Sequence, residues 1–272
     1  MSDTPLLVDA RWLSAHPEAR IADLRWAAAG PPSREKYDQG HIPGAVFVDL
    51  DRDLSQPGGP GRHPFPAEQA FARLLGRLGI GPDTHVVAYD EASGSIAARL
   101  WFMLRAHGHE RASLLDGGMR AWVEAGFALS REEPRIAPAP ARALKLDRAR
   151  VVDRAQLASR GSAALLDARA PERYRGEVEP IDKRAGHIPG ALNAPFAANL
   201  TAAQRFRPPE ELRKVYRVYT SPIVSCGSGV TACHDAFAIE LAGLPPARLY
   251  VGSWSDWSDD PARPIATGPD PE

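Results

Sequence analysis

The sequence holds only two cysteines, Cys226 and Cys233, and both fall in one short stretch, SCGSGVTACH, from Ser225 to His234. Cys226 ends an apolar run, PIVSC, that reads as a buried strand, and a helix is expected to begin near Val230 or Thr231. Gly227 and Gly229 let the chain turn between the two through positive φ. A tight turn of this kind aims backbone N–H groups inward as an anion-binding nest, and a helix N-terminus adds partial positive charge. A thiolate or persulfide at Cys226 is stabilised in such a place, which raises its reactive fraction. The loop residues Gly227, Gly229, Val230 and Thr231 are therefore assigned to substrate binding, and the Ser228 hydroxyl supplies a further hydrogen bond. Cys233, inside the helix, reads as a packed or half-buried thiol.

The elements that must position this loop occur twice. HIPGA stands at His41 to Ala45 and again at His187 to Ala191. Upstream of each copy is an apolar stretch with an acid and then an arginine, Asp23 and Arg25 in one and Asp167 and Arg169 in the other. Downstream come HVVAYD in the first copy and PIVSC in the second, then a helix-like segment, then LLDGGMRAW or LYVGSWSDW. Four features in the same order, twice, indicate a duplicated domain. Strands alternating with helices in each copy predict a parallel sheet flanked by helices, with function at the loops after the strands' carboxyl ends. In the second copy VTACHDAFAIELAG predicts a helix with Val230, Cys233, Phe237, Leu241 and Leu244 at helical spacing and Gly243 as a stop. The Ala- and Pro-rich stretch 131–146 reads as a linker, with the boundary near residue 140. Only the second copy has the cysteine; Asp90 falls near its place in the first. The first copy alone carries a Gly- and Pro-rich run, residues 49–66, which reads as a loop able to cover a cleft or to lie idle on the surface. Trp254 and Trp257 are expected to pack in the core beside the cysteine loop.

Bulk composition narrows the function further. A length of 272 residues fits two domains at roughly 100–200 residues each. The formal net charge of −1, with 25% charged residues, makes no electrostatic case for nucleic acid or an anionic membrane surface as partner. Two cysteines seven apart form neither a disulfide framework nor a zinc site, and their scarcity suits a reducing compartment. The N-terminus lacks the basic flank and apolar core of a secretory signal. No apolar run approaches the ~18 residues of a membrane span. A cytoplasmic protein without metal or organic cofactor is expected.

CGSGVTAC resembles the active-site loop of the 3-mercaptopyruvate sulfurtransferases, and HIPGA, LLDGG and GSW-x-x-W extend the likeness to the two-domain rhodanese superfamily over nearly the whole chain. The resemblance implies an α/β fold of two tandem rhodanese-like domains. An inactive N-terminal domain is expected over 1–138, a linker over 139–147 and a catalytic C-terminal domain over 148–272. It implies that the Cys226 thiolate takes the outer sulfur of mercaptopyruvate or thiosulfate as a persulfide. The sulfur then passes to a thiol, a thioredoxin-like reductant or cyanide, in two half-reactions. Arg169 and Arg175 match the family's substrate-binding region, with Arg173 a third candidate, and an Arg–carboxylate fork suits mercaptopyruvate. Thiosulfate-preferring relatives carry basic residues inside the loop, which here has none. Ser228 and His41 match two members of a proton relay found in mercaptopyruvate-preferring relatives; nothing matches the relay's acid, although Glu35 and Asp38 are nearby. The alternative for His41 is a turn histidine bonded to backbone, like His187. Two rivals remain. A cysteine phosphatase of this fold needs an arginine six positions after the cysteine, where Ala232 stands. A persulfide carrier would load one sulfur and stop without its partner.

Overall fold

The computed structural model describes residues 4–26, 33–91, 93–140 and 142–271. The chain divides into two compact units. One comprises 1–56, 66–147 and 203–205, and the other 57–65, 148–202 and 206–272. The second unit thus takes in nine residues from the Gly- and Pro-rich run of the first sequence copy. The described residues of 131–147 form neither helix nor strand.

Each unit is built on five parallel strands. In the first these are β1 (Leu7–Val8), β2 (Arg20–Asp23), β3 (Val46–Phe47), β4 (Val86–Tyr89) and β5 (Ala112–Leu115), in the order β1-β5-β4-β2-β3. In the second they are β6 (Val151–Val152), β7 (Leu165–Asp167), β8 (Ala191–Asn193), β9 (Ile223–Ser225) and β10 (Arg248–Tyr250), in the order β6-β10-β9-β7-β8. The second order is the first shifted by five, as duplication requires. The central strands are apolar and buried along their length because helices cover both faces of a parallel sheet.

The connection from β7 runs to β8 on one side, while β9 lies on the other, so the strand order reverses between β7 and β9. Ligand sites of open α/β sheets form at such a point, beyond the carboxyl ends of the strands. The register places Asp167 opposite Ser225. The residues that follow, Arg169 and Cys226, therefore leave the sheet at one edge.

The helix after the cysteine loop spans Ala232–Leu241. Its sequence predicts one apolar stripe, yet it is buried on every face from Ala232 to Glu240. It packs on β9 and β10, on the helix Pro209–Tyr216 and on the 3-10 turn Phe196–Asn199. Small Ala232, Ala236 and Ala238 permit that close approach. Two polar residues are buried with them: Asn199 donates to Asp235 Oδ1 at 2.7 Å, and the His234 ring stacks on Phe206. Trp254 and Trp257 lie in the core of the second unit, their indole N–H groups donating to the carbonyls of Arg184 and Pro264. Among the described residues no helix is long and apolar enough to cross a membrane.

Candidate active site

Cys226 stands at the carboxyl end of β9 and is only 2% exposed. The Gly229 N–H donates to its Sγ at 3.1 Å. Gly229 has φ +74°, and a Cβ there would lie 2.3 Å from the Val251 carbonyl oxygen, so glycine is required for both conformation and space. The opposite face of the loop is clamped by the turn after β10. Ser253 Oγ accepts from the Cys226 N–H at 3.1 Å, while the N–H groups of Trp254 and Ser255 donate to the carbonyls of Cys226 and Gly227. Ser253 holds φ +54°, a conformation costly for a residue with a side chain. Val230 is buried, and Thr231 precedes the helix without a side-chain cap. Cys233 is fully buried, its thiol donating to the Gly229 carbonyl at 3.3 Å.

Arg169 is buried and its donors are committed to protein acceptors. Nε and Nη2 donate to Asp167, Nη2 also reaches the Gly186 carbonyl at 2.8 Å, and Nη1 lies 3.5 Å from Glu179. This differs from the fork open to a substrate carboxylate that the sequence suggests. Arg25 makes the same arrangement with Asp23 and the Gly40 carbonyl in the unit without the cysteine. Burial pulls the Arg169 guanidinium down, but Asp167, Glu179 and the Cys226 sulfur more than offset it, so its pKa lies above the ordinary arginine value. The charge is permanent. The Arg169 guanidinium also lies 4.8 Å from the Trp254 ring centre.

The other two arginines part company. Arg175 is partly exposed and grips Glu177 through Nε and Nη2 at 2.7 and 2.8 Å. Arg173 bonds Glu179 at 2.6 Å, and its Nη atoms lie 3.5 and 3.6 Å from the point where a Gly227 Cβ would stand. Burial pushes the Glu179 carboxyl up, but Arg173 and the backbone amides of Asp182 and Ile181 outweigh it and hold it below the usual range.

Ser228 meets a histidine, and that histidine is His63, whose Nδ1 lies 2.8 Å from Ser228 Oγ. Both belong to the second compact unit, whereas His41 belongs to the first. His41 is fully buried, stacked on Tyr37, with Nδ1 at the Tyr37 carbonyl and Nε2 at the Glu132 carbonyl. His187 repeats the stack on Tyr174 and the bond to its carbonyl. The HIPGA histidines thus do the same local work in both copies. Of the nearby acids, Asp38 pairs with Arg34.

Sequence reasoning missed Arg62, His63 and Ser253. Repeat matching gave no handle on His63, because its loop has no counterpart in the second copy. The available signal was an Arg-His pair in a long loop found only in the copy that lacks the cysteine. For Ser253 the signal was GS in the second copy against GG in the first.

The first unit shows what its own loop has become. Asp90 follows β4, and its carboxylate accepts the N–H groups of Gly94, Ile96 and Ala97, each at 2.8 Å. A built-in carboxylate takes the amides at the position where the second unit presents a thiol.

Comparison with known proteins gives the same outline. The chain matches the rhodanese-like domain family over residues 7–125 and again over 152–260. It is 46% identical to a Pseudomonas aeruginosa protein named "Probable 3-mercaptopyruvate sulfurtransferase", over 98% of this chain and 100% of that one. It is 38% identical to the thiosulfate sulfurtransferase of Cricetulus griseus, over 92% of this chain and 91% of that one. Among solved structures, SseA from Escherichia coli, described as a 3-mercaptopyruvate sulfotransferase, superposes with a TM-score of 0.80 at 35% identity, covering 93% of this chain and 100% of that one. The chain therefore belongs to the rhodanese family, among its two-domain sulfurtransferases.

Proposed function

We propose that the sulfur donor is 3-mercaptopyruvate and that Cys226 carries the sulfur as a persulfide. The Cys226 thiolate attacks the donor sulfur, an S–S bond forms and the donor's C–S bond breaks. The electron pair of that bond goes to carbon, which must be protonated to give pyruvate. The donor thiol loses one proton as the carbon gains one, so the balance closes if a group beside the loop can hold that proton. The Ser228–His63 pair is such a group, and this hydrogen bond is the observation that carries the reading. Thiosulfate has no proton to move. Arg169 acts as a positioning residue that keeps positive charge behind the sulfur, while Arg173 is placed to meet the donor carboxylate.

In the second half-reaction an acceptor thiolate, or cyanide, takes the outer sulfur and returns the Cys226 thiolate. A small thiol or a thioredoxin-like protein in a reducing cytoplasm fits this chemistry. The first unit is the non-catalytic copy, its loop amides taken by Asp90.

The test compares the two donors at equal concentration with cyanide as acceptor, following thiocyanate. Mercaptopyruvate is expected to be the faster donor; an equal or better rate with thiosulfate would refute the preference. Cys226→Ser should abolish turnover with both donors, and Cys233→Ser should keep most of it. Intact mass should show one added sulfur after treatment with donor alone.

A further inference from the structure

The run 49–66 enters the second unit through residues 57–65 and lies against the cysteine loop's clamp. A Cβ at Gly61 would stand 2.5 Å from the Gly252 carbonyl oxygen, and the Arg62 N–H donates to Ser255 Oγ at 3.1 Å. The Arg62 side chain then reaches the loop itself. Its Nη1 pairs with the nearly buried carboxylate of Asp182. Its Nη2 lies 3.0 Å from the point where a Gly227 Cβ would stand and has no hydrogen-bond partner among the described residues. The Nη atoms of Arg173 approach the same point at 3.5 and 3.6 Å. Two guanidinium groups from distant parts of the sequence thus converge on the residue next to the nucleophile. Both keep donors to spare among the described residues, Arg173 pairing only through Nη2, but the Arg62 guanidinium, 30% exposed, stands the nearer to Gly227.

Donor chemistry gives this placement a consequence. In a compact sulfur oxyanion the charge lies one bond from the sulfur that reacts, so its counter-charge must stand beside the nucleophile. In a mercapto-keto acid the carboxylate lies three bonds away and finds its partner farther off. We infer that Arg62 sets the donor selectivity of this site: it supplies, from another part of the chain, the cation that the loop sequence lacks, and so admits thiosulfate as a second donor. This rests on the persulfide reading above. The Cys226 thiolate attacks the outer sulfur of thiosulfate, the new S–S bond forms as the old one breaks, and the electron pair leaves with sulfite. No proton moves. The neutral, small Gly227 leaves room for the oxyanion against Arg62, where a side chain would push the guanidinium away.

The test measures kcat/KM for both donors in wild type, Arg62→Ala and Arg62→Lys, with cyanide as acceptor. In Arg62→Ala the ratio of thiosulfate to mercaptopyruvate kcat/KM should fall about tenfold, near 1.4 kcal/mol, chiefly through KM for thiosulfate. Arg62→Lys should recover part of the ratio, since it restores charge without the fork. A ratio unchanged from wild type, with both donors losing equally or neither losing, overturns the inference and leaves Arg62 as a tie for its loop. A second measurement is independent of turnover. Calorimetric titration of sulfite into Cys226→Ser should give an affinity about tenfold higher than into the Cys226→Ser, Arg62→Ala double variant; equal affinities overturn the inference. If wild type turned over neither donor, the persulfide reading would fall while this titration still decided on Arg62.

Discussion

The histidine beside Ser228 sits in a Gly- and Pro-rich loop, and the histidine of the repeated motif sits in a turn. That contrast separates chemistry from architecture at single residues. His41 has both ring nitrogens on backbone carbonyls and its face on Tyr37, so its loss is a loss of packing. His63 shares its hydrogen bond with a hydroxyl two residues from Cys226. His63→Ala and Ser228→Ala are each expected to lower kcat with mercaptopyruvate by about 10²-fold, at the lower end for acid–base catalysis, and to spare thiosulfate by comparison. His41→Ala is expected to lower the unfolding midpoint and leave the donor ratio alone. Parallel donor profiles for His63→Ala and His41→Ala would remove His63 from the proton's path. The arginines divide in the same way. Arg169 and Arg25 share one buried geometry, which marks it as part of the domain frame, whereas Arg62 and Arg173 approach Gly227, beside the cysteine.

At the scale of the element, the turn after β10 holds the cysteine loop through one strained residue. Ser253 keeps φ +54° where the first unit has Gly118 at φ +56°. A non-glycine residue in this region costs on the order of 1 kcal/mol. The return is the hydroxyl, which accepts the Cys226 N–H and donates to the Tyr250 carbonyl at 2.9 Å. Ser253→Ala keeps the strain and leaves a buried N–H unpaired, so denaturant unfolding should show a loss of about 1–3 kcal/mol. Ser253→Gly relieves the strain and should lose less. Both should slow persulfide loading, measured by mass against time, because the loop backbone is no longer pinned. Normal loading in both would mean that the Trp254 and Ser255 amides suffice.

At the scale of the molecule, the second unit depends on chain that precedes the first unit's completion, since residues 57–65 belong to it. Its stability also carries a buried acid. Asp235 sits inside the helix Ala232–Leu241 beside Asn199 and Tyr216, with Oδ2 buried and unpartnered among the described residues. Burial, outweighing the hydrogen bonds from Asn199 and Tyr216 and reinforced by Asp167, holds its carboxyl well above the usual range. The folded chain therefore keeps a proton that the unfolded chain gives up near the ordinary carboxylate value. Between those two values the folded state binds more protons, so stability falls as pH rises, by up to about 1.4 kcal/mol per pH unit. Asp235→Asn stays neutral throughout. Its stability relative to wild type should rise between about pH 4 and pH 7. A pH-independent difference in urea unfolding would show that Asp235 does not hold its proton.

Sequence alone determined the duplication and the parallel-sheet class and singled out Cys226 as the proposed nucleophile, because each is written in contiguous residues. Repeated HIPGA, apolar runs ending in Asp167 or Ser225, and a cysteine between a strand and two glycines all obey local rules of backbone geometry and burial. It also marked Asp90 as the residue in the cysteine's place, by repeat alignment. Tertiary structure decided which histidine reaches Ser228, which arginines reach Gly227 and which residue clamps the Cys226 amide. Those partners lie tens to more than a hundred residues apart, and spacing along a chain does not encode where a loop without a repeat partner will lie. The residues of Arg169 were legible and its geometry was not, since only the folded chain shows Asp167 and the Gly186 carbonyl already occupying its donors.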